Sequence, residues 1–278
     1  MPEGPEVKRT AILLSSFWIG QRLTEVKVLG GRYSKKPEAV NLLVEALPLK
    51  VMTITSKGKF LYWIFREKEI LYLTSLFNTF GMSGFWSSEK QSHARIEFIR
   101  EDGKSVFFHD QRNFGTFKYT RDLMDLDKKL GSLGPDVLRN NWVPLESFQE
   151  KFKRGKNNQK TLAELLMNQK IFSGIGNYLK AEILWMAELS PHRTPESLGE
   201  DEWKLLHSLC HIIPSESLYH GRGSSIMTYR AKMKNSDLQY PQGNLAVYRR
   251  KKDPEGREII PEETKDKRTT HWVPDYQK

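Results

Sequence analysis

Apolar residues recur along this chain with two different periods, and the period changes twice. Near the amino terminus Val7, Ala11, Leu14 and Trp18 fall at helical spacing. Gly4-Pro5-Glu6 precedes them, with proline at the first helical position and an acid in the first turn, and Gly20 fits the stop. From Leu23 to Tyr119 the pattern predicts strands, at Leu23–Leu29, Val51–Thr55, Lys59–Arg66, Ile70–Thr74, Ala94–Ile99, Ser105–His109 and Gly115–Tyr119. These segments are rich in Val, Ile, Phe, Tyr and Trp, and Lys-Gly, Arg-Glu-Lys and Glu-Asp-Gly turns break them. Several short strands in one block predict a two-layer sandwich.

Composition shifts between about Thr120 and Pro144, where Gly131, Gly134 and Pro135 mark a linker. Beyond it the helical period returns. Helices are predicted over Glu146–Phe152, Thr161–Asn168, Leu179–Leu189 and Asp201–Ile213. The tail reads as two short strands, Leu245–Arg249 and Thr269–Val273, joined through Pro254-Glu255-Gly256. The whole predicts an α+β chain in three parts. Residues 1–130 form an N-terminal two-layer β-sandwich with flanking helices, residues 131–246 a helical domain and residues 247–278 a β-hairpin tail.

The 278 residues suffice for two domains with their own cores, and 38% hydrophobic with 11% aromatic residues describe a folded chain. No run of about 18 apolar residues is present, so nothing is expected to span a membrane. Met1–Lys8 carries acids and prolines where a signal peptide needs basic and then apolar residues. The lone cysteine, Cys210, forbids an internal disulfide and a cysteine-built zinc site. A reducing, intracellular compartment and a fold without metal or cofactor are the expectation. His207 and His211 lie one helical turn apart but have no third ligand near in sequence.

A net charge of +10 and a pI of about 9.5 favour a polyanionic partner, because neutralised phosphates release their counterions. An acidic membrane surface would attract the same charge, and a solvated basic face is the plain alternative. Pro214–Lys252 sharpens the choice with eight Lys/Arg against two Asp/Glu, interleaved with Tyr219, Tyr229, Tyr240 and Tyr248, a mixture suited to a nucleic-acid groove.

Candidate chemistry begins at Met1-Pro2-Glu3-Gly4-Pro5-Glu6-Val7. Removal of Met1 leaves Pro2 as a secondary amine that titrates near ~7.7–8.0. Such an amine attacks an aldehyde-like carbon and forms an iminium. Glu3 beside it is placed to shuttle protons. Frayed Pro-rich termini are the ordinary alternative.

Two loops in the strand block are unusual. Phe80-Gly81-Met82-Ser83-Gly84 sets Met82 between glycines, and Asp110-Gln111-Arg112-Asn113-Phe114-Gly115 sets Arg112 and Phe114 two apart. Such side chains either tuck into the core or act as wedges that enter a base stack. Gly174-Ile175-Gly176-Asn177 runs into a helix start, where backbone amides and the helix dipole suit an anion, and a DNA phosphate is the expected one.

These stretches together resemble the formamidopyrimidine-DNA glycosylase/endonuclease VIII family of base-excision repair enzymes, over nearly the whole chain. Pro2–Glu6 is similar to the family's amino-terminal site, and Gly174–Asn177 to its helix-two-turn-helix signature. Gly81–Gly84 and Arg112–Gly115 are similar to its DNA-inserting loops. The resemblance implies Pro2 as nucleophile, Glu3 as proton shuttle and Lys59, in the turn Ser56-Lys57-Gly58-Lys59, as a supporting lysine. It implies that Met82, Arg112 and Phe114 fill the void left by an everted nucleotide. Lys160 and Asn177 would then grip phosphates, and Glu6 would border the lesion pocket.

The tail departs from most bacterial members, which carry a four-cysteine zinc finger; Glu255, Val273 and Tyr276 stand about where cysteines would fall. Arg268 in Lys267-Arg268-Thr269-Thr270 still matches the finger's DNA-contacting arginine. The tail thus resembles the zincless finger of the first vertebrate endonuclease VIII-like paralogue and of plant and giant-virus relatives. Those relatives prefer oxidised pyrimidines and hydantoins. Matching is poor over Pro214–Asn235, on which the lesion pocket depends.

The resemblance implies base excision with β,δ-elimination by a monomer acting on damaged DNA, double-stranded or single-stranded, in a nucleus or viral replication compartment. A non-catalytic DNA-binding protein of the same fold is the main alternative, opposed by intact Pro2, Glu3 and Lys59. An amino-terminal proline also serves small tautomerases, but those chains need no large basic half.

Overall fold

Helix α1 (Gly4–Trp18) forms because Val7, Ala11, Leu14 and Trp18 make one buried apolar face, and Gly20 ends it with φ +82°. The structure is a computed structural model and describes residues 2–36, 38–67, 73–220 and 245–278. The chain folds as two units, Glu6–Ser132 with Pro2, and Leu133–Lys278 with Glu3–Pro5.

In the first unit the chain continues through β1 (Arg22–Val28), α2 (Arg32–Lys35), α3 (Glu38–Glu45), β2 (Leu49–Lys57), β3 (Phe60–Glu67) and β4 (Leu73–Thr79). Then come β5 (Phe85–Ser87), β6 (Ala94–Arg100), β7 (Ser105–His109), β8 (Thr116–Thr120) and α4 (Leu123–Gly131). The strands pair antiparallel in the order β5-β7-β6-β1-β2-β3-β4-β8. This sheet folds over on itself as a sandwich. Trp63 of β3 meets Trp86 of β5 and Phe98 of β6, with ring centroids 5.8 and 5.5 Å apart. Phe117 of β8 packs on Phe108 of β7 at 5.0 Å, so the two ends of the sheet face each other across an aromatic core.

The predicted strands are present, with Ser105–His109 matching at both ends, but the strand expected at Ile70–Thr74 is shifted, β4 running from Leu73 to Thr79. Residues 70–72 of the strand predicted at Ile70–Thr74 lie outside the described residues. The sequence pattern does not mark strand β5 or the positions of helices α2, α3 and α4. Three strand residues, or one or two helical turns, give too few repeats for a period to show.

The second unit contains α5 (Leu145–Lys153), α6 (Leu162–Met167), α7 (Asn177–Met186), α8 (Glu200–His220), β9 (Ile260–Thr264) and β10 (Arg268–Trp272). Its centre is α7, buried from Tyr178 to Met186. Thr161 and Glu164 cap α6 reciprocally.

Two expectations are corrected here. Helix α8 does not stop at Ile213 but runs through Pro214 to His220. Proline removes one ladder bond, but Ile213, Pro214 and Ser217 are buried, and packing carries the helix on. Leu245–Arg249 is not a strand, because the amides of Ala246, Val247 and Tyr248 donate to the buried Glu182 carboxylate, at 2.9, 3.1 and 2.8 Å from its oxygens. The partner of β10 is β9, across the turn Lys265-Asp266-Lys267. Among the described residues no helix is long and apolar enough to cross a membrane, and no group of His, Cys, Asp and Glu is placed to hold a metal.

Candidate functional site

In the second unit, Glu3 is 2% exposed and faces the first turn of α7. Its Oε1 accepts from the Tyr178 amide at 3.0 Å and its Oε2 from the Leu179 amide at 3.3 Å. The Gly4 amide donates to the Gly174 carbonyl at 2.9 Å, tying the amino terminus to the turn before α7. Close approach requires glycine at Gly176 and leaves little room for a side chain at Gly4. A Cβ on Gly176 would fall 2.2 Å from Glu3 Cδ, and one added to Gly4 would fall 3.0 Å from Gly174 Cα. The amides of Tyr178 and Leu179 at this helix start thus hold the protein's own carboxylate. An acidic group there is also favoured by the helix dipole. Pro2, next in the chain, is half-buried.

The side chain of Asn177 is turned to the hairpin. Its Nδ2 donates to the Thr269 carbonyl at 2.8 Å, and its buried Oδ1 has no protein partner. Arg268, the first residue of β10, is exposed one position away. Lys160 is half-buried just before the Thr161 cap of α6. One turn along α7 from Asn177, Lys180 is fully buried and its Nζ donates to Asp266 Oδ2 at 2.6 Å. Burial pushes this ammonium below the ordinary lysine value, while Asp266 and Glu3 draw it back up.

In the first unit, Lys57, Gly58 and Lys59 make a tight turn between β2 and β3, with Gly58 at φ +55°. Lys57 Nζ donates to the Leu130 carbonyl at the end of α4, at 2.7 Å, and Lys59 at the tip is half-buried. Glu6 sits half-buried in the first turn of α1.

The two unusual loops form one platform. Asp110 is fully buried; its Oδ2 accepts from the Gly115 amide at 2.6 Å and its Oδ1 from Ser83 Oγ at 3.0 Å. Ser83 Oγ in turn accepts from the Arg112 amide at 3.3 Å. Gly81 comes so close to Phe114 that a Cβ would fall 2.5 Å from the Phe114 carbonyl carbon. On this platform Met82 is 39% and Phe114 56% exposed, and Arg112 Nη1 lies 3.7 Å from Met82 Sδ. These side chains are displayed, not tucked into the core.

The sequence did not single out Asp110, Lys180 or Glu182. For the last two a signal was present, as two charged residues inside the otherwise apolar run Tyr178–Met186 are bound to be buried and to need partners. His207 and His211 bond to the carbonyls of Val143 and Val137 and stack on Trp142, a structural use of that pair. The stretch Pro214–Asn235 falls largely outside the described residues.

Three family models match the chain in order. They are the formamidopyrimidine-DNA glycosylase N-terminal domain over residues 1–117, its H2TH domain over 133–228 and its C-terminal domain over 234–278. Endonuclease 8 of Pectobacterium atrosepticum is 29% identical over 231 residues, 81% of this chain and 82% of that protein. The formamidopyrimidine-DNA glycosylase of Thermus thermophilus is 29% identical over 265 residues, covering 94% and 89%. Among solved structures, the complex of Lactococcus lactis Fpg with DNA containing an abasic site superposes with a TM-score of 0.78 over 99% of both chains, at 23% identity, a likeness of fold.

Proposed function

The chain belongs to the formamidopyrimidine-DNA glycosylase/endonuclease VIII family, and on that premise we propose that it is a bifunctional DNA glycosylase and abasic-site lyase. Its substrates are oxidised pyrimidines and hydantoins in damaged DNA. The reading is carried above all by Glu3, a carboxylate buried and fixed by two amides beside the amino-terminal Pro2.

The reaction follows from what these groups can do. The Pro2 nitrogen attacks C1′ of an everted nucleotide, and the base leaves with the glycosidic electron pair and a proton passed through Glu3. The nitrogen lone pair then expels O4′, which takes a proton as the C1′–O4′ bond breaks and the sugar ring opens, and the iminium so formed acidifies the C2′ hydrogens. β-Elimination then expels the 3′ phosphate and δ-elimination the 5′ phosphate. Lys59 supports these steps and Glu6 borders the base. Met82, Arg112 and Phe114, exposed on a platform pinned by Asp110, fill the hole in the duplex. Lys160, Asn177 and Arg268 contact phosphates, on a chain of net charge +10. The chain acts as a monomer, with residues 1–130 carrying the nucleophile and residues 131–246 and 247–278 serving DNA binding.

Glu3→Gln separates the steps. It should lose base excision yet keep some strand cleavage at a preformed abasic site, where no base remains to depart. Lys59→Leu should slow catalysis with affinity nearly kept. Equal loss of both activities in Glu3→Gln would remove Glu3 from the proton path.

A further inference from the structure

We propose that Lys180 is a positioning residue: with Asp266 it clamps the β9–β10 hairpin onto α7 so that Arg268 is held ready for a backbone phosphate. The inference rests on the reading of Arg268 as a phosphate contact and says what makes that contact possible.

A two-stranded hairpin is marginally stable alone, and here each strand has five residues. No disulfide can brace it, since Cys210 is the sole cysteine, and the described residues hold no metal-binding group. Something else must fix its tip. Asn177 and Lys180 lie three apart on α7 and so share a face. Both reach the hairpin, Asn177 Nδ2 at the Thr269 carbonyl (2.8 Å) and Lys180 Nζ at Asp266 Oδ2 (2.6 Å). These anchor points bracket Arg268 in sequence, one residue after it and two before it.

Asp266 carries the hold into both strands. Its Oδ1 accepts from Thr264 Oγ1 of β9 at 2.5 Å, and Thr264 Oγ1 meets Thr270 Oγ1 of β10 at 2.6 Å. The side chains of Lys180 and Asp266 are 0% and 5% exposed. A buried pair of this kind adds little net stability over an apolar one, yet it fixes a geometry, because neither charge can leave its partner without a large desolvation cost. The charged groups facing Lys180 are Asp266 and Arg268 of the hairpin and Glu3; His271 of β10 feels both Lys180 and Arg249. Asp266 offsets the repulsion between Lys180 and Arg268, so the arginine stays outward and available.

The test uses the full-length protein and a duplex carrying a tetrahydrofuran abasic analogue, with affinity measured by fluorescence anisotropy across a salt series. Arg268→Ala should lower the log–log salt slope by about one unit. Lys180→Met should lower it equally and add nothing in the double variant with Arg268→Ala. Lys180→Arg should restore the slope. If Lys180→Met does not fold, Lys180→Met with Asp266→Asn leaves no lone buried charge and carries the same criterion. A normal slope in folded Lys180→Met beside a lowered one in Arg268→Ala overturns the clamp alone. A normal slope in Arg268→Ala overturns the phosphate reading beneath it.

Discussion

Gly176→Ala probes the site without touching a reacting group. Gly176 has φ −127° and ψ −159°, an extended conformation open to any residue, so the substitution brings no backbone strain. The consequence is local. The new Cβ falls 2.2 Å from Glu3 Cδ and 2.3 Å from Oε1, and ordinary contact needs about 3.5 Å, so the carboxylate must retreat by more than ~1 Å. The Tyr178 and Leu179 amides, now 3.0 and 3.3 Å away, then lose their acceptor. Hydrogen bonds to a charged group are worth about 1.5–3 kcal/mol each, so the variant should lose roughly 3–6 kcal/mol of stability. A fall in Tm of about 10 °C follows for a chain of this size. Displacing a proton-transfer group costs roughly 10²–10⁴-fold in rate, so single-turnover base excision should fall by that order. Cleavage of a preformed abasic site should fall far less. Wild-type excision and Tm in Gly176→Ala would refute the link between this turn and Glu3.

Replacing Met82, Arg112 or Phe114 by Ala should slow nucleotide eversion more for a base-paired lesion than for an abasic site, where the hole already exists; equal losses would mean that the side chains merely support the loops. His109 is fully buried, stacks on Phe85 at 4.6 Å and accepts the Gln91 amide through Nε2 at 3.1 Å. Burial lowers its pKa, so the unfolded chain binds the proton first. The stability this gives is full above about pH 6.5 and is lost as pH falls through the folded value, at about 1.4 kcal/mol per unit of depression. Denaturant midpoints at pH 7.5 and 5 should therefore differ more in the wild type than in His109→Phe, and an equal difference would remove His109 from the acid response. A chelator should leave activity unchanged. Stoichiometric zinc, with activity lost in chelator and restored by zinc, would contradict the metal-free tail.

How much was legible beforehand depended on the range of the interactions. The apolar face of α1 and the strand-rich segments of β1–β4 and β6–β8 are local patterns, and the structure places elements on them, most within two or three residues, with β4 shifted toward Thr79. Gly174-Ile175-Gly176-Asn177 was visible as a helix start, but its anion was not, because Glu3 lies about 170 positions away in the chain. A separation of about 65 positions likewise hid the true partner of 245–249: a strand and a segment whose amides bind Glu182 look alike in sequence. Asp110 carries no signal of its own in sequence, since the carboxylate's value lies in joining its loop to Ser83.

The central claim is that the Pro2 nitrogen is the nucleophile, and borohydride trapping tests it most directly. Reduction during turnover on lesion-bearing DNA should fix protein to DNA in a covalent complex, and peptide mapping should place the adduct on Pro2 at the amino terminus left by removal of Met1. An uncleaved amino-terminal tag should abolish trapping, because the nitrogen is then an amide. An adduct mapped to a lysine such as Lys59, or trapping that survives the tag, would contradict the account.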